Sequence, residues 1–368
     1  MAELAHFQNF AKLKDTSIEF NDITVLAGKP GTGKSYVMKM MYAIDEVYSL
    51  KTSFEEKNTD EAISLLSEIE TSLNKLDNSD KEYGTKMANI LKDTLKAERL
   101  ADNKDFHFGT NYNNLLKSIF VEHNQISENF EVAYLDTKIK FLNTILNVSF
   151  DNNKKNISDI IFVETPLILE FKSFITREKG KTPYHIESLL KILDKDFSFP
   201  DDEQDKFIKS FREKAQTIIG GDIESTGDSF IFNRKDDKNY DILNASSGIK
   251  SIGLLQYLVT NKALKKGSVL FWEEPEVHLH PSWQLKMVDL FVELMNAGVK
   301  IVFSTHSPYM ADYLNAISQK NEFKERVSFN LLKESESIVE NIILDEDSWH
   351  EIQTELLDPL EEIVWEYL

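Results

Sequence analysis

The stretch Gly28-Lys29-Pro30-Gly31-Thr32-Gly33-Lys34-Ser35 decides the fold, because of what stands on either side of it. Before it runs a β-branched apolar segment, Ile23-Thr24-Val25-Leu26, and after it the pattern from Tyr36 to Val47 is helical. Strand, glycine-rich turn and helix in this order, with the spacing GxxxxGKS, make a phosphate loop. The glycines let successive backbone N–H groups turn inward, the helix N-terminus adds partial positive charge, and Lys34 can reach the β and γ phosphates of a nucleotide. Ser35 is placed to hold a magnesium ion. Gly28, Pro30, Gly31, Thr32, Gly33, Lys34, Ser35 and Tyr36 are therefore the candidate nucleotide-binding residues.

Two later strands supply the chemistry that such a loop needs. Ser268-Val269-Leu270-Phe271-Trp272 is an apolar run that ends on adjacent carboxylates, Glu273 and Glu274. A phosphate-loop enzyme needs one carboxylate at the end of a neighbouring strand for the Mg²⁺ shell and another to orient and deprotonate the attacking water. Glu273 is expected in the first role and Glu274 in the second. The strand Val299-Lys300-Ile301-Val302-Phe303 delivers Ser304-Thr305-His306-Ser307-Pro308, and a histidine at such a tip can hydrogen-bond a γ-phosphate. The catalytic candidates are thus Glu274, His306 and Lys34, and the metal candidates Ser35 and Glu273.

Asn244-Ala245-Ser246-Ser247-Gly248-Ile249-Lys250 precedes a helix expected from Ser251 to Thr260. Ser246, Ser247 and Gly248 offer N–H donors to an anion, although an ordinary N-cap has the same composition. His278 and His280, two apart with no further ligand nearby, fit a structural turn better than a metal centre.

Along the chain, Phe7–Phe10, Ser17–Phe20 and Ile23–Leu26 are expected as strands leading into the loop. From about 48 to 146 the character changes: Ile63, Leu66, Ile69, Leu73 and Leu76 recur at helical spacing, and further helices are expected at Lys86–Leu100, Asn113–His123 and Glu128–Leu146. The expected organisation is 1–47 as the first part of a nucleotide-binding domain, 48–146 as an inserted helical lobe, and 147–368 as the remainder of that domain. Within the last part, Ile160–Val163 and Thr165–Leu169 are strand-like, Pro183 opens a helix His185–Leu193, and another spans Asp201–Ala215. Ile218–Asp222 and Ser229–Phe232 form a hairpin around Thr226-Gly227-Asp228.

The 368 residues include 41% apolar side chains, enough for a substantial core, and no cysteine. That excludes disulfide scaffolds, thiolate zinc sites and cysteine nucleophiles, and fits a reducing compartment. No run of about 18 apolar residues or leader pattern is present, so a cytoplasmic protein without membrane contact is expected. The net charge of −20 is uneven, with twelve acidic residues and no Lys or Arg after Lys333. A basic footprint for nucleic acid is absent overall, leaving Lys12 with Lys14, or Lys262, Lys265 and Lys266, as local candidates. In the acidic tail Ile342-Ile343-Leu344, Ile352, Leu356, Leu357, Leu360, Ile363 and Val364 recur at helical spacing, expected to pack on their own domain.

The order Gly28–Ser35, Ser246–Lys250, Glu273-Glu274, His306 resembles the phosphate loop, signature, Walker B and switch histidine of ABC-type ATPases. Within that class the chain looks like the SMC/Rad50/RecF branch, and closest to OLD-like (AAA_15/AAA_21-type) ATPases of bacterial phage-defence systems. Glu273-Glu274-Pro275-Glu276-Val277-His278-Leu279-His280-Pro281, Ser304–Pro308 and Asn244–Lys250 carry this likeness. Ser247 and Ile249 depart from the usual signature, and Pro30 has an AAA+ flavour that the signature argues against. The resemblance implies an α/β fold, an ABC-type P-loop NTPase with a mixed-sheet core, with ATP and Mg²⁺ as cofactors. It implies a homodimer or higher even-numbered oligomer, in which Ser246–Gly248 of one subunit meets the γ-phosphate held by the other. OLD proteins carry a C-terminal TOPRIM nuclease, whereas 62 residues follow His306 here, so a separate effector protein, a nuclease or toxin, is the expected partner. A RecF-like ATPase that clamps duplex DNA is the alternative, and a transporter subunit is disfavoured by the roughly 210 residues between loop and signature.

Overall fold

The computed structural model describes residues 2–55, 105–106, 129–134, 137–142, 145–150, 159–175, 182–195, 202–227, 229–236, 238–321, 323–335 and 338–357. The sequence expectations at Ile63–Leu76, Lys86–Leu100 and Asn113–His123, and at Leu360, Ile363 and Val364, lie outside the described residues. The strands are β1 (Glu3–Phe10), β2 (Leu13–Phe20), β3 (Ile23–Ala27), β4 (Asp105–Phe106), β5 (Phe130–Tyr134), β6 (Thr137–Leu142), β7 (Ile145–Phe150), β8 (Ile160–Val163), β9 (Gly221–Ser225), β10 (Phe230–Arg234), β11 (Asn239–Asp241), β12 (Val269–Trp272), β13 (Lys300–Thr305), β14 (Val327–Ser335) and β15 (Ile338–Ile343). The helices are α1 (Lys34–Glu55), α2 (Ile168–Ile175), α3 (Tyr184–Asp194), α4 (Asp202–Ile219), α5 (Ser247–Thr260), α6 (Pro281–Asn296) and α7 (Pro308–Lys320). A further helical segment runs from 349 to 357.

Twelve of these strands form one mixed sheet in the order β4-β7-β6-β5-β1-β2-β15-β14-β3-β13-β12-β8. One side of it, β14-β3-β13-β12-β8, is parallel throughout. These strands are short apolar runs because both of their faces are covered. Side chains alternate between two cores: Leu270, Trp272, Ile301, Phe303, Ile161 and Val163 point into one, and Val269, Phe271, Val302, Ile160 and Phe162 into the other. The first core is closed by α3, α5, α6 and α7; the second by α1, through Met38, Met41 and Tyr42, and by β1 and β2. Parallel pairing in register, Trp272 beside both Phe303 and Val163 and Thr305 beside Ala27, brings the C-terminal ends of β3, β8, β12 and β13 to one edge. Ligands of open α/β sheets bind at that edge.

Four expectations are corrected. Residues expected as the helix Glu128–Leu146 form the antiparallel strands β5, β6 and β7, and β5 joins the main sheet beside β1. Phe130, Val132 and Tyr134 are buried while Glu131 and Ala133 are partly exposed, a period of two that outweighs helical propensity. Thr165–Leu169 is not a strand: α2 begins at Ile168. Ile342 and Ile343 belong to β15, paired antiparallel with β14, so the helical spacing of the tail holds only from 349. The hairpin expected from Ile218–Asp222 and Ser229–Phe232 is shifted: Ile218 and Ile219 end α4, and the first strand is β9 (Gly221–Ser225), paired with β10, which gains β11 as a third strand while α4 and α5 pack on β9.

Candidate functional site

Each functional segment leaves the sheet at the end of a parallel strand. After β3 the chain turns through Gly28, Gly31 and Gly33, all at positive φ, and enters α1 at Lys34. At Gly28 (φ +140°) a Cβ would stand 2.2 Å from the Leu332 carbonyl oxygen, so the loop can lie against β14 only with glycine there. The Lys34 ammonium folds back over the loop and donates to the carbonyls of Gly28 (2.8 Å) and Lys29 (2.9 Å). Burial lowers its pKa to about 8, against the pull of Glu274, Glu276 and Glu273. Thr32 is buried, its hydroxyl donating to Lys29 O. Pro30 and Gly31 are exposed at the tip of the loop, and Tyr36 packs edge-on against Phe10.

Glu273 follows β12 directly, its N–H bonded to Val163 O, and its carboxylate meets the Ser35 hydroxyl. Burial raises its pKa to about 7, with Glu164 and Glu274 adding and Lys39 and Ser35 opposing. Its Oε1 is buried with no hydrogen-bond partner among the described residues. A hydroxyl beside a carboxylate with an unused oxygen is a hard-oxygen donor set that fits a magnesium ion, so Ser35 and Glu273 would hold it.

Glu274 sits at φ +45° and its N–H reaches Ser304 of β13. Such a backbone in a bulky residue is strained and persists only where surroundings over-determine it. Its Oε1 lies 3.2 Å from His306 Nε2. His306 leaves the tip of β13, its N–H donating to Glu276 Oε1 (2.6 Å), and its ring also meets the Gly28 backbone. Burial and then Lys34 lower its pKa, so the neutral ring is favoured despite Glu274. Lys34, Ser35, Glu273, Glu274 and His306 are thereby gathered around one loop.

Ser246, Ser247 and Gly248 are placed differently. Ser246 caps α5, its Oγ accepting from Ile249 N (3.4 Å), so the helix begins at Ser247, one turn before expectation. Gly248 lies against Trp283 and Leu279. The contacts of this motif run to its own helix and to the α6 segment, away from the phosphate loop. His280 accepts from Ser282 N and caps α6.

Sequence reasoning missed Glu164, Lys39 and His185. Glu164 ends β8 as Glu273 ends β12, an apolar strand closing on a carboxylate, and that shared pattern was the available signal. Its Oε1 pairs with Lys39 (3.2 Å) and its Oε2 with the buried His185 Nε2 (2.7 Å). The His185 bond, chiefly, holds its pKa down at about 2 against desolvation. Lys39 therefore faces both Glu164 and Glu273 from the first turns of α1. Glu276, half-buried and with its pKa raised by desolvation, is a fourth acid that the sequence did not single out.

Phosphate loop, parallel sheet edge and converging carboxylates define the class as a P-loop nucleotide-binding α/β protein. The chain belongs to the AAA ATPase domain family AAA_15, whose model matches residues 6–311. No protein of curated function matches it in sequence. Similar solved structures include an SMC head bound to the C-terminal winged-helix domain of ScpA (12% identity, TM-score 0.47, covering 95% of this chain and 99% of that one). The SMC head domain from Thermotoga maritima is 10% identical with a TM-score of 0.46, covering 94% and 99%. An SMC head from Pyrococcus furiosus with an extended coiled coil, bound to the C-terminal domain of ScpA, is 13% identical with a TM-score of 0.46, covering 98% and 99%.

Proposed function

We propose that the chain hydrolyses ATP between two of its own copies and thereby governs a separate effector, a nuclease or toxin, in anti-phage defence. The observation that carries the catalytic part is the convergence of Lys34, Ser35, Glu273, Glu274 and His306 on one sheet edge while Ser246–Gly248 stands apart, capping another helix. A site so divided is completed when a second subunit brings its α5 N-terminus to the phosphates, as the ABC-type resemblance implies.

In this reading the loop N–H groups and Lys34 bind the β and γ phosphates, with Ser35 and Glu273 holding Mg²⁺. The ion, when bound, supplies Lewis-acid neutralisation of phosphate charge. Glu274 takes the proton of the attacking water; neutral His306, with a single N–H to give, holds that carboxylate in the empty site and turns the N–H to the γ-phosphate when ATP is bound. Glu164, clamped by Lys39 and His185, keeps the neighbouring strand end in place. ATP joins two subunits and hydrolysis parts them. The effector role follows the OLD-like resemblance alone.

Duplex DNA as the partner draws little support from the candidate lysines: Lys12 pairs with Glu334, Lys262 with Asp205 and Lys265 with Asp159. No helix among the described residues is long and apolar enough to cross a membrane. Glu274→Gln tests the catalytic reading, since it keeps size and hydrogen bonding but removes the base. It should bind ATP like the parent, lose about a hundredfold or more in turnover, and elute as an ATP-dependent dimer in size-exclusion chromatography with light scattering. Turnover at the parent rate would refute the assignment.

A further inference from the structure

The helical segment 349–357 lies against the phosphate loop. Trp349 and Ile352 seat it: Trp349 stands edge-on to Phe329 of β14 (4.9 Å) and donates to Asp312 of α7 (3.0 Å), and Ile352 is fully buried. One face then presents two acids a turn apart. Glu351 pairs with Lys333 of β14 (3.2 Å), next to the Leu332 carbonyl that crowds Gly28. Glu355, its side chain only 9% exposed, pairs with Lys29 of the phosphate loop itself (3.4 Å). The Lys29 carbonyl in turn accepts from Lys34, so the residue gripped by Glu355 is also one that holds the Lys34 ammonium in its folded-back position.

We infer that Glu355 is a positioning residue for the phosphate loop, and that a nucleoside triphosphate and Glu355 compete for Lys29, so that filling the loop loosens the acidic helix. The inference rests on the nucleotide-binding reading above. A polyanion cradled by this loop attracts Lys29, and drawing that cation away acts against the docked helix. Lys29 is half-exposed and can swing; Glu355 is nearly buried and loses its cation when Lys29 does so. The energy of one partly exposed pair sets the scale, so the coupling is modest and readable.

The test is a double-mutant cycle on Mg-ATP affinity, read with a fluorescent ATP analogue, in the full chain. Glu355→Gln should tighten binding about two- to fivefold. Lys29→Ala should weaken it, and in the Lys29→Ala background Glu355→Gln should change nothing. Equal affinities for parent and Glu355→Gln, or tightening that persists without Lys29, overturn the inference. A second readout needs no change at Glu355: amide exchange within 349–357 should speed up on adding ATP in the parent and not in Lys29→Ala, whose side chain is exposed enough to remove without unfolding. Unchanged exchange in an ATP-bound parent overturns it as well. If the parent binds no nucleotide, the functional reading falls together with this one; if it binds and the cycle is flat, this one alone falls.

Discussion

Gly28 and Gly31 are both at positive φ in the same loop, yet they are required for different reasons, and substitution separates them. At Gly31 a Cβ meets nothing within 4 Å, so alanine there costs only backbone strain, about 1 kcal/mol. At Gly28 the same Cβ meets the Leu332 carbonyl oxygen at 2.2 Å, and neither partner is a flexible side-chain end. Gly28→Ala should therefore cost about 3 kcal/mol, strain and displacement together, measured by urea unfolding, with Gly31→Ala as the internal control. Equal effects at the two positions would mean that the loop is not pressed against β14. Glu274 shows the same tension: its backbone is strained at φ +45°, and its carboxylate, the proposed base, meets His306.

At the scale of elements, α1 joins the site to the second core, and it carries a half-buried acid far from the phosphate loop. Glu46 lies beside the hydroxyls of Tyr42 and Tyr184, and burial raises its pKa from 4.5 to about 7, with Asp45 and Asp159 adding. The folded protein thus holds a proton there that the unfolded chain has released between pH 4.5 and 7. The contribution is fully present below 4.5 and is lost as the pH rises through about 7. Glu46→Gln fixes the neutral form: it should match the parent in thermal melts at pH 4.5 and exceed it at pH 8, by on the order of 1 kcal/mol. A difference that does not grow with pH would refute the shift. How legible the elements were follows from which signal each depended on. The strands β3, β12 and β13 and the residues at their ends were readable because apolar runs closing on Gly28, Glu273 and His306 are a local pattern. Residues 130–150 were not, since Glu131, Lys138 and Lys140 are compatible with a helix face, and only pairing with β1 and with each other makes them strands. Glu164 closes an apolar run just as Glu273 does, whereas His185 has no such signal: it meets Glu164 across 21 positions of sequence, and nothing local marks that meeting.

For the whole molecule the decisive question is whether one chain holds a complete site. The loop, Glu273, Glu274 and His306 are gathered at one sheet edge, while Ser246–Gly248 caps α5 against Trp283 and Leu279. If, as proposed, two copies face each other head to tail, a chain lacking the loop lysine still lends its partner an intact α5 N-terminus. A chain spoiled at α5 likewise still offers an intact loop. Lys34→Ala removes the phosphate-binding ammonium, and Ser247→Arg places a bulky side chain in the first turn of α5, where Ser247 is partly exposed. Each variant alone should be inactive. In an equal mixture half of the dimers are mixed and each has one of its two sites whole, so about a quarter of the parent ATPase rate should return. A self-contained monomeric site predicts no recovery at any ratio, because each chain would carry its own defect. Recovery measured by phosphate release, rising with total protein concentration as association requires, would tie the division of the motifs between two elements to a shared site; its absence, with both variants folded, would leave the chain acting alone.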